Sequence, residues 1–150
     1  MYSLDQHGIS LNTLYTRCET PKPVAELLII QDASDALFGV YMGDGIRPSR
    51  GRGYYGSGES FMFKYTSASD ELKVYKWTGR NDYVALCEPG FISFGGGDGQ
   101  FGVYLDAGLI DGSSARCVTF GNEVLCGAGR VKAGAVEFEC VGLEVWKIGA

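Results

Sequence analysis

The spacing of hydrophobic positions changes once along the chain, near residue 20. After Gly8, the residues Leu11, Leu14, Tyr15 and Cys18 recur at i, i+3, i+4 and i+7, the stripe of a short helix, and Ser10 stands where an N-cap belongs. Thr20-Pro21-Lys22-Pro23 stops that pattern, because proline cannot continue a helix. Beyond it, short apolar runs with a period near two are separated by Gly, Asp and Asn, which predicts an antiparallel sandwich or barrel. Leu27 to Ile30 is apolar on both faces and predicts a central strand. Phe38, Val40 and Met42 predict its hairpin partner across Asp32-Ala33-Ser34-Asp35. Phe61, Phe63 and Tyr65 share one face of a third strand. Leu72 to Trp77, Tyr83 to Cys87, Phe91 to Phe94 and Phe101 to Leu105 follow as strands closed by turn residues.

In the last strand the outward charges change parity, from Glu137 and Glu139 to Glu144. A bulge at Val141-Gly142 accounts for this: one inserted residue brings Leu143 and Val145 onto the face already used by Phe138 and Cys140. The glycine-, serine- and alanine-rich stretches 108–116 and 127–134 are expected to be loops. With no internal repeat and no linker, residues 1–150 are expected to form a single domain.

Composition narrows the function classes. The longest uninterrupted apolar run, Leu27 to Ile30, is far short of the ~20 residues that span a bilayer, and Met1 to Asp5 begins no secretory leader. A net charge of −5 repels phosphate backbones; the one basic cluster, Arg47, Arg50 and Arg52, reads as a solvated loop, so nucleic acid is not an expected partner. Five cysteines with no C-x-x-C pair write neither a disulfide framework nor a zinc knuckle, and fit a reducing compartment. A lone histidine, His7, excludes two-histidine metal sites and reads as a turn or cap residue.

Three patterns resemble chemistry. Gly97-Asp98-Gly99-Gln100-Phe101-Gly102 spells the dinucleotide fingerprint, but the alternation after it predicts a strand instead of the helix whose N-terminus would hold a pyrophosphate. A tight strand connection is the better reading. The paired acids Asp32/Asp35 and Glu137/Glu139 read as solvated carboxylates. Cys18, Cys87 and Cys140 fall on apolar faces as small core residues, while Cys117, beside Arg116, is the least implausible reactive thiol.

Six ordered segments then carry a resemblance. Gly53-Tyr54-Tyr55-Gly56-Ser57-Gly58-Glu59-Ser60-Phe61-Met62-Phe63 closely resembles "FYGTGESFLF" of TLDc domains, the domain that defines the oxidation-resistance protein family. Val74 to Asn81 resembles "VYxWTGxN", and Phe94 to Asp106 resembles "FGGGxxFGLxLD". Cys117 to Asn122 is similar to "CxTFxN", Phe138 to Trp146 to "FExxxLEVW", and Gly8 to Tyr15 to "GxSLxTLY". One departure is that family domains usually carry a further helix and a tryptophan before the "YS" that stands here as Tyr2-Ser3.

The resemblance implies a mainly β (α+β) fold, a two-sheet antiparallel β-sandwich flanked by short helices. It implies a non-catalytic interaction domain that protects against oxidative stress and binds soluble-sector subunits of the vacuolar-type proton ATPase. Expected with it are a monomer with no cofactor and no metal, located in the cytoplasm, peripherally at vacuolar or lysosomal membranes, or with mitochondria. An enzyme with a cysteine or carboxylate centre in peroxide defence, or a sandwich holding a small ligand, are the alternatives. The motif positions carried over as binding candidates are Glu59, Thr78, Gly79, Asn81, Gly96, Gly97, Asp106, Thr119 and Asn122. Each has a plain structural reading as well: positive φ for Gly, turns for Asn and Asp, pairing for Thr.

Overall fold

The structure is a computed structural model that describes residues 1–148. The helical stripe becomes α2 (Leu11–Cys18), with the Ser10 side chain accepting from the Thr13 N–H and Leu11, Leu14, Tyr15 and Cys18 all buried. Ahead of it lie β1 (Tyr2–Ser3) and the one-turn α1 (Leu4–His7). His7 is the last residue of α1, and of the two expected roles it takes the capping one: its Nδ1 accepts from the N–H of Ser3, the helix's N-cap residue, at 3.0 Å.

The period-two segments form β2 (Glu26–Asp32), β3 (Leu37–Met42), β4 (Phe61–Thr66), β5 (Glu71–Lys76), β6 (Ala85–Cys87), β7 (Phe91–Phe94) and β8 (Val103–Asp106). After them come β9 (Asp111–Ser114), β10 (Val131–Lys132) and the long β11 (Ala135–Lys147). The paired strands run antiparallel in the order β5-β4-β3-β2-β11-β9-β8-β7-β6.

This path is two sheets joined through β11. Its first half pairs with β9, and its second half pairs with β2 on one side and β1 on the other. The break falls between Cys140 and Gly142, where the register shifts by one residue. The expected bulge is therefore present: Phe138, Cys140, Leu143 and Val145 are all buried while Val141 and Glu144 face out.

Two expected loops contain strands. Asp111–Ser114, within the stretch 108–116, is β9, and it lies between β8 and β11 inside the second sheet. Its small side chains are required there, because a Cβ on Gly112 would meet Phe138 Cζ at 2.5 Å and the Tyr104 carbonyl at 2.5 Å. Val131–Lys132, within 127–134, is β10, paired with the start of β11. Asp32, expected in solvent, is buried: its carboxylate accepts from the Ser34, Ala36 and Gly127 N–H groups and so shapes the β2–β3 turn.

The core lies between the sheets. Leu28, Ile30, Phe38, Val40 and Met62 from the first meet Ile92, Phe94, Val103 and Leu105 from the second, all fully buried. Each such side chain stabilises the fold by about 1.5–3 kcal/mol relative to exposure. Phe38 meets Phe138 edge-on at 5.1 Å across the bulge. Helix α2 closes one end, tied by the Tyr15 hydroxyl to the Glu88 and Phe91 carbonyls of the β6–β7 hairpin.

Candidate functional site

Three connections meet at one end of the sandwich: the segment after β5 (77–81), the glycine segment after β7 (95–102) and the segment after β9 (115–122). Thr119 joins them. It is fully buried, and its hydroxyl accepts from the Gly96 N–H at 2.9 Å and donates to Asn81 Oδ1 at 2.7 Å. Thr78 completes the link, its N–H donating to the Thr119 carbonyl at 2.9 Å and its hydroxyl to the Val118 carbonyl at 2.8 Å. Asn81 Oδ1 also accepts from the Tyr83 N–H, and the Trp77 indole N–H donates to the Asn81 carbonyl.

The glycines answer to geometry. Gly97 has φ 108, and a Cβ there would press on the Val118 side chain at 3.1 Å. Gly79, φ 80, turns the chain at an exposed corner where a Cβ would meet nothing, so conformation alone requires it. The fingerprint-like run 97–102 is a strand connection, as its alternation predicted.

Cys117 lies behind this network. Its thiol donates to Asn122 Oδ1 at 3.0 Å, while Asn122 Nδ2 donates to the Ala115 and Glu123 carbonyls. Burial pushes the Cys117 pKa up, outweighing backbone N–H groups that act in the opposite sense. The same cause raises Cys87 to about 12 and Cys126 and Cys140 to about 11. All five thiols are buried and unpaired with one another, and a protonated thiol is a poor nucleophile.

Of the residues singled out in the sequence, Thr78, Gly79, Asn81, Gly96, Gly97, Thr119 and Asn122 are brought together here, with Cys117 beneath them. Glu59 is on the neighbouring segment before β4, exposed, with its side chain lying over Gly43. Trp77 connects the two segments by covering Gly58. Asp106 is not part of this group. It sits at the far end of the β8–β9 hairpin, in a second cleft of about 820 Å³ with Asp111, Glu137 and Glu139.

Over the network opens a cleft of about 580 Å³ lined by Thr78, Arg80, Asp98, Gln100, Arg116 and Val118 among others. Arg80 and Arg116 are exposed, and neither carries an ion pair among the described residues. Sequence reading had missed both as site residues. Arg80 lies inside a matched segment and could have been found; Arg116 carried a signal only as the neighbour of Cys117.

An antiparallel sandwich with most of its motif residues, Glu59 and Asp106 apart, drawn into one loop cluster defines the class of protein. Residues 1–149 match the TLDc domain model, and the chain belongs to the TLDc domain family. It is similar to oxidation resistance protein 1 of Cryptococcus neoformans, 45% identical over 97% of this chain and 32% of that protein. Oxidation resistance protein 1 of Eremothecium gossypii is 39% identical over 99% of this chain and 62% of its own length. Its namesake in Saccharomyces cerevisiae is 32% identical over 99% of this chain and 63% of its own length. The chain thus spans about a third of the first of these relatives and less than two thirds of the others.

Proposed function

We propose that this domain is a non-catalytic interaction module serving protection against oxidative stress. Its loop end docks on the soluble, cytosol-facing sector of a vacuolar-type proton ATPase and biases the pump's assembly. The stress role draws on family membership and on the name that the relatives carry. The observation that carries the interaction reading is the state of the polar groups at the loop end. Thr119 and Asn81 spend their hydrogen bonds holding three loops together, Asn122 spends its own within the last of them, and the one thiol there keeps its proton. Such a cluster is built to present a rigid surface. A regulator of this kind need only bind one assembly state more tightly than the other.

The test is titration of the purified domain against the isolated soluble sector, with Glu59→Ala alongside. Glu59 is exposed and makes no ion pair among the described residues. If it is a contact, its loss weakens binding and leaves the melting temperature unchanged. Absence of binding by the wild type, where a full-length relative binds, would falsify the reading.

A further inference from the structure

The outer face of the first sheet is flanked at its β11 margin by β1 and the start of α1, where Ser3, Leu4 and Asp5 share a cleft with Ile29, Gln31, Leu37 and Glu144, while its rows over β3, β4 and β5 carry exposed and half-buried apolar side chains. Its rows follow from the strand registers. Trp146, Leu27, Tyr41, Phe61 and Lys76 lie side by side across β11, β2, β3, β4 and β5. The next row is Glu144, Ile29, Gly39, Phe63 and Val74, and the third is Gly142, the exposed Gln31, Leu37, Tyr65 and Leu72. Leu72 is 60% exposed, Trp146 52% and Val74 45%, and the other apolar members are half-buried against one another. Tyr41 stacks on Phe61 at 4.9 Å, both half-buried.

We propose that this face is a self-association surface on which a second copy packs face to face, with the two β3 strands over each other at the symmetry axis. Two features point to a second copy in particular. β3 is the middle of the five long strands, with the two-residue β1 outside β11, so a two-fold axis along it lays β5 of one copy over β11 of the other, Leu27 over Phe61, Ile29 over Phe63, and Tyr41 and Leu37 over their own counterparts. The charged positions in these rows sit at the lateral margins and differ in sign, Lys76 on β5 and Glu144 on β11. The same operation brings Lys76 of each copy to the Trp146 and Glu144 margin of the other. The two margins are thus opposite in sign, with Lys76 of one copy in the row of Trp146 of the other and next to its Glu144.

Its size sets the strength. Five strands at ~4.8 Å and five residues at ~3.3 Å give a flat footprint of about 400 Å² per copy. The pair then covers about 800 Å² before side-chain relief is counted, close to the ~1,000 Å² of the smallest specific interfaces. The dimer is therefore weak and depends on concentration.

Sedimentation velocity of the whole chain over about a hundredfold range of concentration tests this. The expected result is a reversible monomer–dimer equilibrium that Val74→Asp weakens by at least about tenfold while the variant keeps its melting temperature. Lys76→Glu and Glu144→Lys, each alone, place like charges at both margins and should dissociate the dimer. Mixing the two variants restores opposite signs at both margins and should recover it. A monomer at every concentration overturns the proposal and leaves the face to another partner. So does a dimer that survives Val74→Asp, or one whose charge variants fail to recover on mixing.

Discussion

At the scale of single residues, Glu26 shows how a buried charge links stability to pH. It opens β2 fully buried, its Oε1 accepting from the Ile46 N–H at 2.6 Å and its Oε2 unpartnered. Burial pushes its pKa up to about 7, above the ~4.3 of a free glutamate. The native state therefore holds this proton more tightly than the unfolded chain. Glu26's contribution to stability is greatest in acid, falls as pH rises from about 4.5 to about 7, and is level above that, a change of about 3 kcal/mol. Glu26→Gln keeps an acceptor for Ile46 and removes the titration. Thermal melts should show it near wild type at about pH 4 and more stable at about pH 8. Thr119 makes the opposite case, a buried polar group fully used. Thr119→Val leaves the buried Gly96 N–H without its acceptor, and denaturant unfolding should record a loss of about 1–3 kcal/mol, which Thr119→Ser largely restores. Cys117→Ser replaces one donor to Asn122 by another; stress-survival assays should show protection retained, and loss of protection from a folded variant would favour a thiol mechanism.

At the scale of elements, charge and apolar patterning disclosed more than composition did. The parity change from Glu139 to Glu144 located the bulge in β11, because the period of two is rigid and one extra residue must reverse it. The stripe of α2 and the β2–β3 hairpin were legible for the same reason. The strand β9 was not. Asp-Gly-Ser-Ser carries no apolar alternation, and it is a strand because β8 and β11 hold it from both sides and Phe138 crosses over Gly112. The site was half legible. Motif order could name Asn81, Gly96 and Thr119 but could not show that one hydroxyl binds the other two, a fact of three-dimensional approach. Gly112→Ala follows from the same crowding. With Phe138 Cζ and the Tyr104 carbonyl both 2.5 Å from the new methyl, β9 must part locally from its neighbours β8 and β11 within the second sheet. The expected cost is about 1–3 kcal/mol, read from the urea midpoint, whereas Ser113→Ala one residue on should be nearly silent.

At the scale of the whole molecule, a net charge of −5 hides an uneven distribution. The cleft at the far end of the β8–β9 hairpin gathers Asp32, Asp106, Asp111, Glu137 and Glu139 against the single Arg130. The cleft over the Thr119 network carries Arg80 and Arg116 against the single Asp98. A partner that docks at the loop end meets a locally basic patch on an acidic body, so opposite charge steers it to that end and like charge keeps it from the other. Both arginines are exposed and free of ion pairs among the described residues, so reversing them should leave the fold intact and test the proposed docking alone. Arg80→Glu combined with Arg116→Glu should weaken docking to the soluble ATPase sector by at least about tenfold, or about 1.4 kcal/mol, and flatten its salt dependence. Glu137→Lys combined with Glu139→Lys changes the net charge by the same amount in the opposite sense, at the other cleft. If docking followed net charge alone, this second pair would tighten or loosen binding as much as the first. Calorimetric titration of both double variants at low and moderate salt separates the two cases. A large effect confined to the arginines assigns docking to the loop end, and an effect confined to the glutamates would move it to the acidic cleft.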